Sequence, residues 1–179
     1  LARTSCKGHQ REETNFLLNL SLAELHEKKI EKARNYLEEA RLLPDKMTML
    51  QKLWTHDIRG RITTQERSFR VARLHYQAME SMAQRASHPA AKWRALIGQA
   101  QVLVEMGQSR RAHRVFERAE TLLDQESLLV PVHAGRDLFL ARHDHATRAY
   151  VQSLLQSGLA KEAMNTVRKS RTRYLRGLL

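Results

Sequence analysis

The sequence predicts an all-α fold built from antiparallel helical hairpins, and three observations lead to this prediction. Apolar residues recur at intervals of three and four along nearly the whole chain, and no segment alternates with period two. The 179 residues include only seven glycines, three prolines and 6% aromatic residues. That composition argues against a β-sandwich or barrel, because those folds need turn residues every few positions. Turn and cap residues also divide the chain into segments of helix length.

The first half of the chain contains four predicted helices. Each is defined by a stripe of apolar residues at helical spacing, and they span Phe16–Leu25, Ile30–Leu43, Met47–Thr64 and Arg67–Arg85. Pro44 ends the second of them, since proline cannot continue a helix.

The second half follows a break at Ser87-His88-Pro89 and contains four more predicted helices. They span Trp93–Met106, Ser109–Leu123, His145–Gln156 and Ala160–Leu178. Gly107 and Gly158 are predicted C-terminal caps, and Ser109 is a predicted N-cap. Residues 124–142, which contain Pro131 and Gly135, are predicted to form a longer connection with a short helix near Asp137–Arg142.

The second helix of each hairpin repeats a pattern of small and large residues at spacings of four and three. The four copies are Ala33-Leu37-Ala40, Ala72-Tyr76-Met79, Ala112-Phe116-Ala119 and Ala163-Val167-Ser170. Their leading alanines lie 39, 40 and 51 residues apart (72 − 33, 112 − 72 and 163 − 112). Small residues let two antiparallel helices approach closely, and a large residue one turn further on fills the space toward the next hairpin.

These residues resemble the consensus of tetratricopeptide repeats. The first repeat matches at Leu17, Leu20, Ser21, Ala33, Leu37, Ala40 and Pro44; the third at Leu96, Ala100, Leu103, Gly107, Ala112, Phe116 and Ala119; the fourth at Tyr150, Leu154, Gly158, Ala163, Val167 and Ser170. The second departs from it, because Gly60 fills the small site but Arg59 stands where an apolar residue is expected. The resemblance covers about residues 14–175. It implies one domain, 1–179, forming a right-handed solenoid with repeats at about 14–45, 47–86, 91–123 and 143–178.

A narrower resemblance concerns the C-terminal third. Residues 122–179, with Pro131-Val132-His133 and a basic last helix, look like the end of repeat arrays that precede caspase-like CHAT peptidase domains in bacteria. Such a peptidase would lie outside this chain, and so would its catalytic residues. Because the chain opens on Leu1 rather than Met, we expect it to be a fragment of a larger protein.

The positive charge is unevenly distributed. The chain has 31 Lys+Arg against 19 Asp+Glu, a formal net charge of +12, and residues 1–45 contribute none of it. Such a gradient favours an acidic protein partner, a neighbouring domain or nucleic acid. Within the last helix, four basic residues are concentrated between positions 168 and 173, and these are Arg168, Lys169, Arg171 and Arg173. They form a solvated cap, a docking surface for an acidic domain or a phosphate-binding surface.

The resemblance also implies which residues face the concave groove of the solenoid. The groove residues most suited to hold a partner are Trp54, Arg61, Arg94, Gln101, His145, Arg148 and Gln152. Arginine and amide side chains grip carboxylates and extended peptide backbone through charge-assisted hydrogen bonds. At the N-terminal end the implied groove residues Leu18, Leu22 and Leu25 are apolar, so they either line the groove or pack against a preceding helix.

Catalytic, cofactor and metal sites are not predicted. His143-Asp144-His145 and His56-Asp57 place neighbouring residues on different helix faces, which does not suit chelation. Cys6 is the one cysteine, and a polar leader without an activating group surrounds it. The sequence shows no secretory signal, membrane span or Gly-rich phosphate loop. The predicted function is therefore a cytoplasmic, non-enzymatic scaffold for a protein or peptide partner, and the alternative is nucleic-acid binding through the Arg-rich C-terminal half.

Overall fold

The part of the chain that the structure describes is helical throughout, as the sequence predicts. A computed structural model describes residues 7–43, 47–131 and 135–175, and these ranges contain eight α-helices and no β-strand. The helices are α1 (Lys7–His26), α2 (Ile30–Leu42), α3 (Met49–Gln65), α4 (Phe69–Arg85), α5 (Pro89–Glu105), α6 (Ser109–Leu129), α7 (Arg136–Gln156) and α8 (Ala160–Leu175). Residues Cys6, Pro44, Val132, His133 and Leu178 lie outside the described ranges.

The same tight turn joins the two helices of each hairpin. Its central residue has a positive φ, which is 59° at Lys28, 60° at Arg67, 68° at Gly107 and 74° at Gly158. The amide of the following residue donates to the carbonyl five residues back at 2.8 to 2.9 Å, which satisfies a free carbonyl at the helix end. The predicted caps at Gly107 and Gly158 are therefore confirmed, and the turns repeat at the 39-, 40- and 51-residue spacing of the sequence pattern.

The predicted long connection at residues 124–142 is wrong. Helix α6 continues to Leu129 and α7 begins at Arg136, so Pro131 and Gly135 both lie in the short interval between the two helices. Most of the wider spacing of the last repeat arises because α6 and α7 are 21 residues long each, whereas α4 and α5 have 17 each. The predicted N-cap is also displaced by one residue, since Gln108 precedes α6 and Ser109 is its first helical residue.

Contacts divide the chain into two compact units, residues 1–98 and 99–179. In the first unit α1 packs on α2 and α3 packs on α4, and α3 also contacts both helices of the first hairpin. The core there includes Leu18 and Leu25 of α1, Leu37 of α2, and Ile58 and Ile62 of α3. Leu18 and Leu25 are thus core residues, and the expectation that they line a groove or pack on a preceding helix is wrong.

Tyr76 of α4 fixes the spacing of α3 and α5 within the first unit. A Cβ atom placed at Gly60 would lie 2.6 Å from Cζ of Tyr76, and one placed at Gly98 would lie 2.4 Å from Cε1 of the same ring. The aromatic ring is therefore in direct contact with two backbones that lack side chains. Two small residues, one on each helix, are what allow this close approach.

The second unit has an aromatic core between α6 and α7. Phe116 stacks on Tyr150 with ring centroids 5.0 Å apart, and the buried alanines Ala112, Ala119 and Ala163 let the helices approach. His113 lies beside Tyr150 and contacts the hydroxyl of Ser153 at 3.2 Å. Across the described helices of both units, no segment is long and apolar enough to span a membrane.

Candidate partner-binding surfaces

Two arginines of the first unit converge on one buried carboxylate. Asp57 of α3 is only 2% exposed, and its Oδ2 accepts a hydrogen bond from Nε of Arg61 at 3.2 Å. Nη1 of Arg94, on α5, lies 3.5 Å from the same oxygen. The side chains of Arg61 and Arg94 are 39% and 48% exposed. The structure therefore brings Arg61 and Arg94, two of the predicted groove residues, together at Asp57. We call these two arginines, with the carboxylate that they share, the Asp57 arginine pair.

The Asp57 arginine pair is explained by the cost of burying charge. A buried carboxylate needs compensating cations and hydrogen bonds, because removing it from water alone is expensive. One carboxylate between two guanidiniums leaves a local charge of +1, and each guanidinium carries five N–H donors, most of which remain for another acceptor. Burial, followed by the Asp57 carboxylate, raises the pKa of the Tyr76 phenol. Tyr76 therefore stays neutral and does not compensate this charge.

Trp54 lies on the same face of α3 as Asp57 and Arg61, at helical spacings of three and seven. It is half-buried and packs against the core of the first unit. One turn earlier, Gln51 donates from Nε2 to Oδ1 of Asn15 at 3.0 Å and so ties α3 to α1. Nothing in the sequence pattern indicates this partly buried amide contact.

The groove residues predicted in the second unit lie on exposed helix surfaces. Gln101 is exposed on α5, and His145, Arg148 and Gln152 are exposed on α7. Arg148 is paired with Asp144, with N···O distances of 2.6 and 2.7 Å. Arg148 and Gln152 line a groove of about 460 Å³ between α7 and α8, whereas His145 does not.

The basic residues of α8 are not one continuous surface. Arg168, Lys169 and Arg171 are exposed, but Arg173 is 3% exposed and its guanidinium pairs with Glu120 and Asp124 of α6. Its placement among the surface cations was therefore wrong. Position 173 lies three residues after the half-buried Ser170, so it shares the inner stripe of α8.

The pairing of Arg173 belongs to a polar network that the sequence did not reveal. The hydroxyl of Thr147 on α7 donates to Oε1 of Glu120 at 2.8 Å, so Glu120 links α6 to both α7 and α8. Asp124 and Glu120 precede Arg173 by 49 and 53 residues along the sequence. Only tertiary structure brings them into contact.

The histidine-acid clusters separate as their spacing predicts. His56 faces His75 of α4, with the two Nδ1 atoms 3.4 Å apart, while the adjacent Asp57 faces the arginines. Burial lowers the pKa of both imidazoles, and neighbouring positive charge adds to it: Arg59 for His56, and His56 and Arg59 for His75. Nδ1 of His143 lies 2.6 Å from the carbonyl of Phe139. Within the described ranges, no three His, Cys, Asp or Glu side chains are grouped so as to hold a metal ion.

Comparison with known proteins supports the fold. No protein-family model matches the sequence, and no curated protein matches it either. The chain is similar to the crystal structure of aspartyl phosphate phosphatase F from Bacillus subtilis, with a TM-score of 0.77 and 17% sequence identity. The match covers 92% of this chain and 40% of that protein, so the chain spans less than half of its length. At this identity the likeness concerns the helical-repeat fold alone, and the narrower resemblance to arrays that precede CHAT domains gains no support from it.

Proposed function

We propose that this chain is a protein-interaction module that binds an acidic segment of a partner through the Asp57 arginine pair. The observation that carries the proposal is the convergence of two partly exposed guanidiniums on one buried carboxylate. Asp57 neutralises part of their charge and fixes their position, but it leaves donors and a positive charge directed outward. A carboxylate of a partner satisfies both.

Pre-positioned arginines are well suited to recognition. The guanidinium matches a carboxylate bidentately, and hydrogen bonds between charged groups are shorter and stronger than those between neutral groups. Because Asp57 already holds both side chains, binding a partner orders fewer free rotamers and so loses less conformational entropy. Trp54 on the same helix face adds an aromatic surface beside the charges, and Trp and Arg are the residues enriched at the energetic centres of interfaces.

The proposal extends to the context of the chain. We propose that it acts in the cytoplasm as a binding region of a larger protein, and that binding rather than catalysis is its role. In one such arrangement the chain precedes a CHAT-type peptidase domain, and its partner is an acidic surface of that neighbouring domain. The activity named for the similar Bacillus protein belongs to that protein, of which this chain matches 40%.

Matched peptide libraries test the proposal. Short random peptides that contain two glutamates, and the same peptides with glutamine in their place, are titrated against the chain by fluorescence anisotropy. We expect the glutamate peptides to bind more tightly than the glutamine peptides. Arg94→Glu should lower the affinity for the glutamate peptides by tenfold or more, since a hydrogen bond to a charged group contributes about 1.5–3 kcal/mol.

The control is Arg70→Glu, which makes the same charge change at an exposed position of α4 in the same unit. It should weaken binding far less than Arg94→Glu, because it changes net charge without touching the site. Equal binding of the glutamate and glutamine peptides, or an equal effect of the two charge reversals, would refute the proposed site. Circular dichroism of each variant establishes that helical content is retained.

A further inference from the structure

The groove between α7 and α8 has an apolar floor and a basic rim. Its floor includes Val151 and Leu155 of α7 and Val167 of α8, and its rim carries Arg148 and Arg171. Its volume is about 460 Å³, and Leu155 is 56% exposed although it lines the groove. A large aliphatic side chain exposed in a concave surface is typical of a binding face.

The first hairpin shows what such a groove accommodates. The turns at Lys28 and Gly158 both have a positive φ, of 59° and 74°, and the same pattern of hydrogen bonds, and they lie 130 residues apart (158 − 28). The same offset relates the groove residues of the last hairpin to residues of the first. The pairs are Leu25 with Leu155, Leu37 with Val167, Ala40 with Ser170, and Leu18 with Arg148.

In the first hairpin this surface is covered by a helix. Ile58 and Ile62 of α3, four residues apart, pack into one core cluster with Leu25 and Leu37. As a result Leu25 is 5% exposed, against 56% for its counterpart Leu155. The groove between α7 and α8 therefore has the form of a surface that receives a helix with apolar residues at positions i and i+4.

One difference between the two hairpins indicates the charge of that helix. Where the first hairpin has the buried Leu18, the last has the exposed Arg148, and Arg171 lies on the other helix of the groove. Asp144, the one acid that lines the groove, is paired with Arg148, so the rim retains a net positive charge. A helix that approaches this rim is favoured if carboxylates flank its apolar stripe.

We infer that the groove between α7 and α8 docks an amphipathic helix of a partner protein. The apolar i, i+4 pair of that helix fills the floor against Leu155 and Val167, and its flanking carboxylates meet Arg171 and Arg148. This site uses none of the residues of the Asp57 arginine pair, so it holds or fails independently of the proposed function.

The test uses a designed peptide as the probe. It is an alanine-rich, fluorescently labelled helix with isoleucines at positions i and i+4 and glutamates beside them. A comparison peptide has lysines in place of the glutamates. We expect the glutamate peptide to bind the 179-residue chain saturably. Leu155→Asp should weaken it by about tenfold or more, because a charge enters the apolar floor.

Leu138→Asp is the matched control, since Leu138 is on the same helix, is 58% exposed and does not line the groove. It should leave the affinity within about twofold, as expected for a surface substitution away from the site. Arg171→Glu should weaken the glutamate peptide and strengthen the lysine peptide. This reversal of preference is a readout that a merely unfolded variant does not give.

Three outcomes would overturn the inference. The first is equal loss of binding in Leu155→Asp and Leu138→Asp, and the second is an Arg171→Glu variant that keeps its preference for the glutamate peptide. The third is a chain that binds neither peptide but forms a dimer which Leu155→Asp dissociates in sedimentation experiments. In that case the occupant of the groove is a second copy of this chain.

Discussion

Replacing Gly98 by alanine tests the packing that positions the Asp57 arginine pair. An added Cβ would lie 2.4 Å from Cε1 and 2.5 Å from Cζ of Tyr76, whereas ordinary contacts of a Cβ begin near 3.4 Å. The ring has little room to move by the missing ~1 Å, because it is 4% exposed and also contacts Gly60 of α3. Either the ring or helix α5 must therefore shift.

Two opposing effects set the magnitude. Overpacking of a well-filled core costs about 1–3 kcal/mol, and alanine in a helix interior gains about 0.5–1 kcal/mol over glycine. The net expectation for Gly98→Ala is a loss of about 1–2 kcal/mol in the free energy of unfolding. At roughly 2–4 °C per kcal/mol for a chain of this size, the melting temperature falls by about 2–8 °C.

Gly98→Ala should also disturb the Asp57 arginine pair. Arg94 lies one helical turn before Gly98 on α5, so a shift of α5 lengthens the distance between Arg94 and Asp57. We expect weaker binding of the glutamate peptides along with the lower stability. Urea unfolding followed by circular dichroism measures the stability, and anisotropy measures the affinity.

The comparison that decides the matter is the same substitution in a Tyr76→Leu background. There the clash is removed while the helix propensity of alanine remains, so Gly98→Ala should stabilise the chain by about 0.5–1 kcal/mol. If Gly98→Ala has the same effect in both backgrounds, the contact between the ring and the α5 backbone does not hold the helices, and the reasoning is wrong.

Four further predictions concern the buried Arg173, the turn at Arg67, the pair of histidines His56 and His75, and binding to DNA. Arg173→Met should destabilise the chain by about 2–4 kcal/mol in urea unfolding, because it leaves two acids of α6 without their cation, while Lys169→Met, at an exposed site, should stay within about 0.5 kcal/mol. Arg67→Gly should stabilise by about 1 kcal/mol, since only glycine adopts the positive φ of this turn without strain, and an unchanged urea midpoint would contradict that. In the folded chain the pKa values of His56 and His75 are lowered from their ordinary value. When the pH falls below that ordinary value, these histidines therefore bind protons in the unfolded chain before they do so in the folded chain. Unfolding free energy should therefore fall as pH drops through about 6.5, and replacing both histidines by glutamine should reduce that slope; an unchanged slope would contradict it. Finally, a DNA duplex titrated at several salt concentrations should show no affinity at low salt; binding whose logarithm falls by about 0.9 per phosphate contact with log salt would instead establish the nucleic-acid alternative.

The repeat framework could be predicted from the sequence because local residues determine it. Gly107 and Gly158 mark turns that require a positive φ, and the recurring small-large pattern follows from the close approach of paired helices. The lengths of α6 and α7 could not be predicted in the same way. Proline and glycine mark a break in helix, but Pro131 and Gly135 do not reveal how close to them α6 ends and α7 begins.

The candidate sites could be predicted only in part. The resemblance to tetratricopeptide repeats implies that Arg61 and Arg94 face one groove, but their convergence on Asp57 depends on how closely α3 and α5 approach across Tyr76. Arg173 is one of four basic residues that lie close together on the last predicted helix, and the sequence alone shows no internal partner for it. Its partners lie on another helix about 50 residues earlier, and no local pattern carries that information.

The distribution of ion pairs favours a partner with discrete carboxylates over a continuous phosphate backbone. In the described residues several of the arginines pair with internal acids: Arg61 and Arg94 with Asp57, Arg148 with Asp144, and Arg173 with Glu120 and Asp124. Phosphate-backbone binding draws on many cations that each neutralise one phosphate, so pairing them internally reduces the counterion release on which its affinity depends. For a protein partner, internal pairing instead favours binding, because it holds a few guanidiniums in positions where a single carboxylate can contact them. The internal pairing of several arginines in a chain of net charge +12 therefore supports the proposal of a partner with individual acidic side chains over that of a polyanion.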